Sequence, residues 1–163
     1  MGDIKRKKSK FKRPKKPYDK KRIEEENLII KKYGLKNKKE IWKAEAEVSK
    51  IRRIAKSLIS KSDEEKNEFF NKLKKMGFNI NKIADVLALT TEDWLNRRLQ
   101  TFVFQSKLAN SPKEARQKIV HKKVLVNNAV VNIPSFMVDT EFENKITIKQ
   151  SSRAKLKEEV SNE

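Results

Sequence analysis

The sequence predicts an α+β fold, with a mainly helical amino-terminal part and a short antiparallel sheet towards the carboxyl end. Three observations carry that expectation. Ile41, Ala44, Val48, Ile51, Ala55 and Leu58 recur at alternating spacings of three and four, which makes them one apolar seam of a long helix. Ser111, Pro112 and Glu114 open a second helix with an N-cap hydroxyl, a proline where no hydrogen bond is lost, and the carboxylate of a capping box. Val124-Leu125-Val126 and Ala129-Val130-Val131 are β-branched runs separated by Asn127-Asn128. Asparagine tolerates the positive φ that a two-residue hairpin turn requires.

Taken in order, residues 1–22 hold Lys7, Lys8, Lys12, Arg13, Lys15 and Lys16 among other cations, interrupted by Phe11, Pro14, Pro17 and Tyr18. That composition cannot bury a core, so a basic arm is expected, disordered or ordered by RNA, with Phe11 and Tyr18 able to stack on bases. Asp19 to Tyr33 reads as a short helix ended by Gly34, whose missing Cβ suits a left-handed cap. Asn37 is expected to cap the long helix, with Glu40 three residues on. Its outer faces carry Arg52 and Arg53, candidate phosphate contacts. Ser62-Asp63-Glu64-Glu65 opens a helix through Phe69, Phe70, Leu73 and Met76 that Gly77 closes, and its acidic start assigns it to packing. A short apolar helix over Ile83 to Leu89 follows.

From Thr90 the chain reads as one helix, its threonines and acids capping the first turn and Leu95, Leu99 and Phe102 falling on one face, so that Arg97 and Arg98 point elsewhere. In the helix after Ser111, Ala115 and Ile119 share the inner face while Lys113, Arg116 and Gln117 share the outer one. Beyond the hairpin, Ile133 to Val138 leads away, 139–145 is a polar loop, and Ile146-Thr147-Ile148 alternates like a strand returning to the hairpin. Gln150 onward is a mixed-charge tail. The expected organisation is an arm over 1–22, a helical part over 23–89, a module of two helices and a small sheet over 90–149, and a tail over 150–163.

A chain of 163 residues leaves no room for a large catalytic domain beside these elements. Its net charge of +19 calls for a polyanionic partner, nucleic acid before membrane. No apolar run is long enough to span a bilayer, and Met1-Gly2-Asp3-Ile4-Lys5-Arg6 has no signal core, so a cytoplasmic protein is expected. With no cysteine, one histidine and three scattered glycines there is no disulfide framework, metal site or phosphate loop to read. No cofactor and no catalysis are expected. Lys107, Lys113, Arg116, Gln117, Lys122 and Lys123, with Arg97 and Arg98, suit folded RNA, whose deep major groove leaves phosphates, 2′-hydroxyls and junction shape to be recognised.

Arg97-Arg98-Leu99-Gln100-Thr101, Leu108-Ala109, Glu114-Ala115-Arg116-Gln117, His121, Val126-Asn127 and Val131-Asn132-Ile133-Pro134-Ser135 together resemble the RNA-binding module of the small-subunit ribosomal protein four family. Arg22-Ile23-Glu24-Glu25-Glu26 and Lys32-Tyr33-Gly34-Leu35-Lys36-Asn37-Lys38-Lys39-Glu40-Ile41-Trp42 resemble the front half of its archaeal and eukaryotic members, so the likeness covers most of the chain. It implies a structural protein that binds small-subunit rRNA early and assists assembly, near the mRNA entrance and beside other small-subunit proteins. It also implies RNA contacts from Gln100, Thr101 and His121. The competing class is a free factor, in ribosome quality control or RNA modification, that uses the same module. Where the family usually has glycine, this chain has Lys107, Lys122 and Asn128, where a left-handed backbone costs on the order of 1 kcal/mol each, and the sequence leaves open whether these turns keep the family geometry. Ala129 and Val130 stand where members often carry basic residues after the hairpin turn.

Overall fold

The computed structural model describes residues 9–11 and 13–149. Lys7, Lys8, Lys12 and the tail from Gln150 lie outside the described residues. The chain runs α1 (Lys20–Tyr33), α2 (Lys39–Leu58), α3 (Asp63–Lys75), α4 (Ile83–Ala88), α5 (Thr91–Asn96), α6 (Leu99–Gln105), α7 (Pro112–Val120), β1 (Val124–Val126), β2 (Ala129–Val130), a 3-10 turn (Thr140–Lys145) and β3 (Ile146–Ile148). This is the expected α+β class. Two compact units divide it: one takes the chain up to Phe70 together with Asn79–Leu95, the other Asn71–Phe78 together with the chain from Asn96.

In the first unit all six seam residues of α2 are buried. Ile41 and Ala44 pack with Tyr33, Leu35 and Leu95, and Ile29, Ile30, Trp42 and Trp94 close around them. The start of α2 differs from expectation: the helix begins two residues after Asn37, whose main-chain carbonyl, not its side chain, accepts from the Glu40 amide. The Glu40 carboxylate reaches back to the Lys36 amide. At α5, Thr90 and Asp93 form a reciprocal capping box, the Thr90 amide donating to Asp93 Oδ2 at 2.8 Å and the Asp93 amide to Thr90 Oγ1 at 3.3 Å. Asp85 accepts from the Asn81 and Lys82 amides before α4, and those two bonds hold its carboxyl below the usual range.

The second unit is built on Leu99, Val103, Ala109, Ala115, Ile119, Val124, Val126, Val138 and Ile146. Its sheet has the order β2-β1-β3, both pairs antiparallel, with Val126 opposite Ala129 in the hairpin and opposite Ile146 on the other side. Asn127 and Asn128 have φ of 49° and 64°, the two positive values of a type I′ turn. The third strand returns to the hairpin as expected.

One element was expected to be continuous and is not. The helix from Thr90 breaks at Arg97-Arg98, where Arg98 is extended and bridges Met137. Isolated arginines favour a helix, but here backbone pairing with the 134–138 stretch prevails. The Val138 amide donates to the Arg97 carbonyl (3.0 Å), the Leu99 amide to Phe136 (2.8 Å) and the Gln100 amide to Pro134 (3.3 Å). The last two satisfy amides of the first turn of α6, which has no side-chain cap.

Four helices end in a left-handed residue spanned by a main-chain bond that closes a six-residue ring, and at three of them a four-residue ring lies inside it. At α3 and α6 the rings are Phe78 to Leu73 with Gly77 to Lys74, and Leu108 to Val103 with Lys107 to Phe104. At α7 they are Lys123 to Lys118 with Lys122 to Ile119, and at α1 Leu35 bonds Ile30 beyond Gly34. Lys107 (φ 56°) and Lys122 (φ 59°) therefore hold a regular helix end, and Asn128 (φ 64°) a regular hairpin turn, despite the side chains at these positions.

A side chain in the left-handed region carries on the order of 1 kcal/mol, of which a glycine variant loses part through its freer unfolded chain. Lys107→Gly and Lys122→Gly are each expected to raise the urea-unfolding stability of the free protein by about 0.5 kcal/mol. Gly77→Ala runs the other way: beyond its φ of 82°, an added methyl carbon meets the Arg97 guanidinium at 2.1 Å. A loss of about 2 kcal/mol is expected in the same measurement.

Candidate nucleic-acid interface

The helices α6 and α7 pack together through Leu99, Val103, Ala115 and Ile119 and leave their other sides to solvent. α7 opens as its sequence dictates, Ser111 Oγ accepting from the Glu114 amide at 3.2 Å with Pro112 at the first helical position. The Glu114 carboxylate takes the Asn110 amide at 2.7 Å, one residue before the expected box partner. Lys118 lies 2.8 Å from the same carboxylate. That ammonium first, and the Asn110 amide second, hold Glu114 below the usual carboxylate range. The acid on α7 is thus neutralised within its own helix.

Around it, Lys107, Lys113, Gln117, His121, Lys122 and Lys123 are all exposed. Arg116 is half-buried at their centre and donates to Gln100 Oε1 at 3.2 Å. Gln100, only 2% exposed, gives its amide group to the Pro112 carbonyl at 3.0 Å. A buried amide satisfied in this way locks the rotamer of the arginine it touches. Gln100 is thus held beneath the surface, supporting Arg116. Thr101 is half-buried on the neighbouring turn.

Arg97 and Arg98 correct an expectation. They do not stand on the outer side of a helix but at the break between α5 and α6. Arg98 is 6% exposed. Arg97 donates to the Val138 carbonyl at 2.7 Å, pairs with Glu143 at 2.6 Å and lies 4.8 Å over the Phe102 ring. Its fork is occupied by protein groups that the sequence could not bring together, since Val138 and Glu143 lie more than forty residues away in the chain. Phe104, one turn beyond Gln100 on α6, is 39% exposed.

In the first unit, Arg53 is exposed, while Arg52 donates to the Leu89 carbonyl. Arg13, Lys15 and Lys16 are exposed, whereas Phe11 is half-buried. Among the described residues no cluster of three or more histidine or acidic side chains is arranged to hold a metal, and no helix is long and apolar enough to cross a membrane.

The S4 domain matches residues 97–142, the stretch that contains α6, α7 and the hairpin. Three archaeal relatives extend the likeness over nearly the whole chain, each named small ribosomal subunit protein uS4. That of Methanothermobacter thermautotrophicus is 40% identical over 162 residues, covering 95% of this chain and 94% of its own length. That of Methanococcus aeolicus is 41% identical over 159 residues, covering 93% and 90%. That of Thermoplasma volcanium is 40% identical over 161 residues, covering 93% and 80%. Likeness of that degree along both units places the chain: it belongs to the small ribosomal subunit protein uS4 family, in its archaeal form.

Proposed function

We propose that the chain is a non-catalytic rRNA-binding protein of the small ribosomal subunit in the cytoplasm, which binds small-subunit rRNA, assists subunit assembly and lies near the mRNA entrance beside neighbouring small-subunit proteins. The observation that carries this reading is the row of exposed cations and hydrogen-bond donors on α7 and its flanking turns, centred on Arg116. Its one acid is neutralised by Lys118. Arg116 is the contact for two phosphate oxygens at once, because its fork is planar and already oriented by Gln100. Lys107, Lys113, Lys122 and Lys123 add single phosphate contacts, and Gln117, Thr101 and His121 supply hydrogen bonds to phosphates and 2′-hydroxyls. Arg97 and Arg98 act from beneath, holding the start of α6, and in the first unit Arg53 and the arm supply further phosphate contacts of their own.

Arg116→Lys keeps the charge and removes the fork, so affinity for the folded rRNA domain is expected to fall about tenfold while affinity for unstructured RNA of equal length stays nearly constant. Equal losses on both RNAs, in filter-binding titrations, would reduce the site to a diffuse electrostatic surface. Replacing Lys113, Lys122 and Lys123 with glutamine lowers the double-logarithmic salt slope by roughly 0.7 to 0.9 for each phosphate contact removed. In sucrose gradients of cell extract the protein is expected to sediment with small subunits in high salt. Recovery in the soluble upper fractions instead would favour a free RNA-binding factor.

A further inference from the structure

The basic arm does not leave α1 freely. Its described part is tied to the first unit at two places, and both ties meet one carboxylate. Glu26, on the inner side of α1, is 6% exposed. Its Oε1 accepts from Arg22 Nη1 at 2.6 Å and from the Trp42 indole at 2.9 Å, and its Oε2 lies 3.2 Å from Lys38 Nζ. Burial pushes this carboxyl up, and the bonds from Trp42, Arg22 and Lys38 outweigh it and hold the group below its ordinary range. Arg22 uses its other nitrogen on the arm: Nη2 donates to the carbonyls of Lys16 at 3.0 Å and Pro17 at 2.9 Å. Trp42, its ring fixed by the bond to Glu26, carries Phe11 against it, the ring centroids 6.0 Å apart and tilted by 35°. Tyr18, just beyond the second tie, is 92% exposed.

We infer that Glu26 is a positioning residue for RNA binding: through Arg22 and Trp42 it fixes the course of the arm in the free protein, so that Lys10, Arg13, Lys15 and Lys16 are presented as an ordered strip instead of a diffuse cloud. The inference rests on the proposed RNA-binding role. Its chemistry is economical, because one buried anion needs partners and two of the three it recruits, Arg22 and Trp42, are the groups that grip the arm. Phe11 serves as the anchor against Trp42, which leaves Tyr18 as the aromatic side chain free to stack on a base. Ordering the arm before RNA arrives removes the entropy of ordering it afterwards and raises affinity without adding a contact.

The test uses the full chain. Trp94→Phe leaves Trp42 as its one tryptophan, and since there is no cysteine, Lys10→Cys accepts a single dye that takes up Trp42 emission. Energy transfer in the free protein is expected to be high, and to drop in both Glu26→Gln and Phe11→Ala while the helical circular-dichroism signal persists. Phe11→Ala touches no buried polar group, so it remains informative if Glu26→Gln fails to fold. In the unlabelled protein both variants are expected to bind the folded rRNA domain about tenfold more weakly with an unchanged salt slope, because every cation is still present.

The sign is diagnostic. Glu26→Gln makes the chain one charge more positive, so electrostatics alone would tighten binding, whereas positioning weakens it. Unchanged transfer in the folded variants overturns the inference, and so does reduced transfer with unchanged or tighter RNA binding. If the parent protein binds no rRNA, the functional reading fails separately, while the transfer measurement still decides whether Glu26 holds the arm.

Discussion

The second unit depends on the backbone pairing of residues 97–100 with residues 134–138. An α-helix starts with amides that have no partner inside it, and α6 meets that need with carbonyls of Pro134 and Phe136 in place of a side-chain cap. Because the pairing requires extended backbone at Arg98, the helix that begins at Thr91 ends at Asn96. The same constraint buries Arg98 and Gln100. It places Gln100 where it reaches Arg116 and Pro112, and it carries Val138 into the core beside Val103 and Ile146. The exposed face of α7 therefore has its geometry set from below by hydrogen bonds that no local pattern announces.

That explains which parts of the molecule could be read from the residues. The α2 seam, the Ser111 cap, the Asn127-Asn128 turn and the returning strand are local or periodic features, and each was legible because its physics is contained within a few residues. The break at Arg97-Arg98 was not. Arginine has no aversion to helix, and the partner stretch lies about forty positions away. The start of α2 was displaced for a smaller reason, since the Asn37 carbonyl provided an acceptor that its side chain was expected to supply. At Lys107 and Lys122 the main-chain rings around each helix end hold a conformation that the side chain disfavours, so local preference gave way to regular hydrogen bonding.

Within the described residues the cations divide by chemistry. Arg22, Arg52, Arg97 and Arg116 turn planar forks toward carbonyls, carboxylates or an amide of the protein itself, where several donors in fixed geometry satisfy several acceptors. Lysines at 107, 113, 122 and 123 remain in solvent, where a compact charge on a flexible stem gives little to the fold. The count of basic residues thus overstates the surface available to a polyanion and understates how much of the architecture is held by arginine.

The pairing of residues 97–100 with residues 134–138 also imposes an order in time on a chain made from its amino end. Contacts between α6 and α7 and within the hairpin join residues close in sequence and form as soon as those residues are available. The amides at the start of α6 must wait until Pro134 and Phe136 have been synthesised, and the Arg97 carbonyl waits for Val138. Until then the extended backbone at Arg98 has nothing to hold it, and a helix running on from α5 is the better local solution. The nascent chain is therefore expected to pass through a conformer with a continuous helix across Arg97-Arg98, with those two arginines turned outward, before the later strand draws them in.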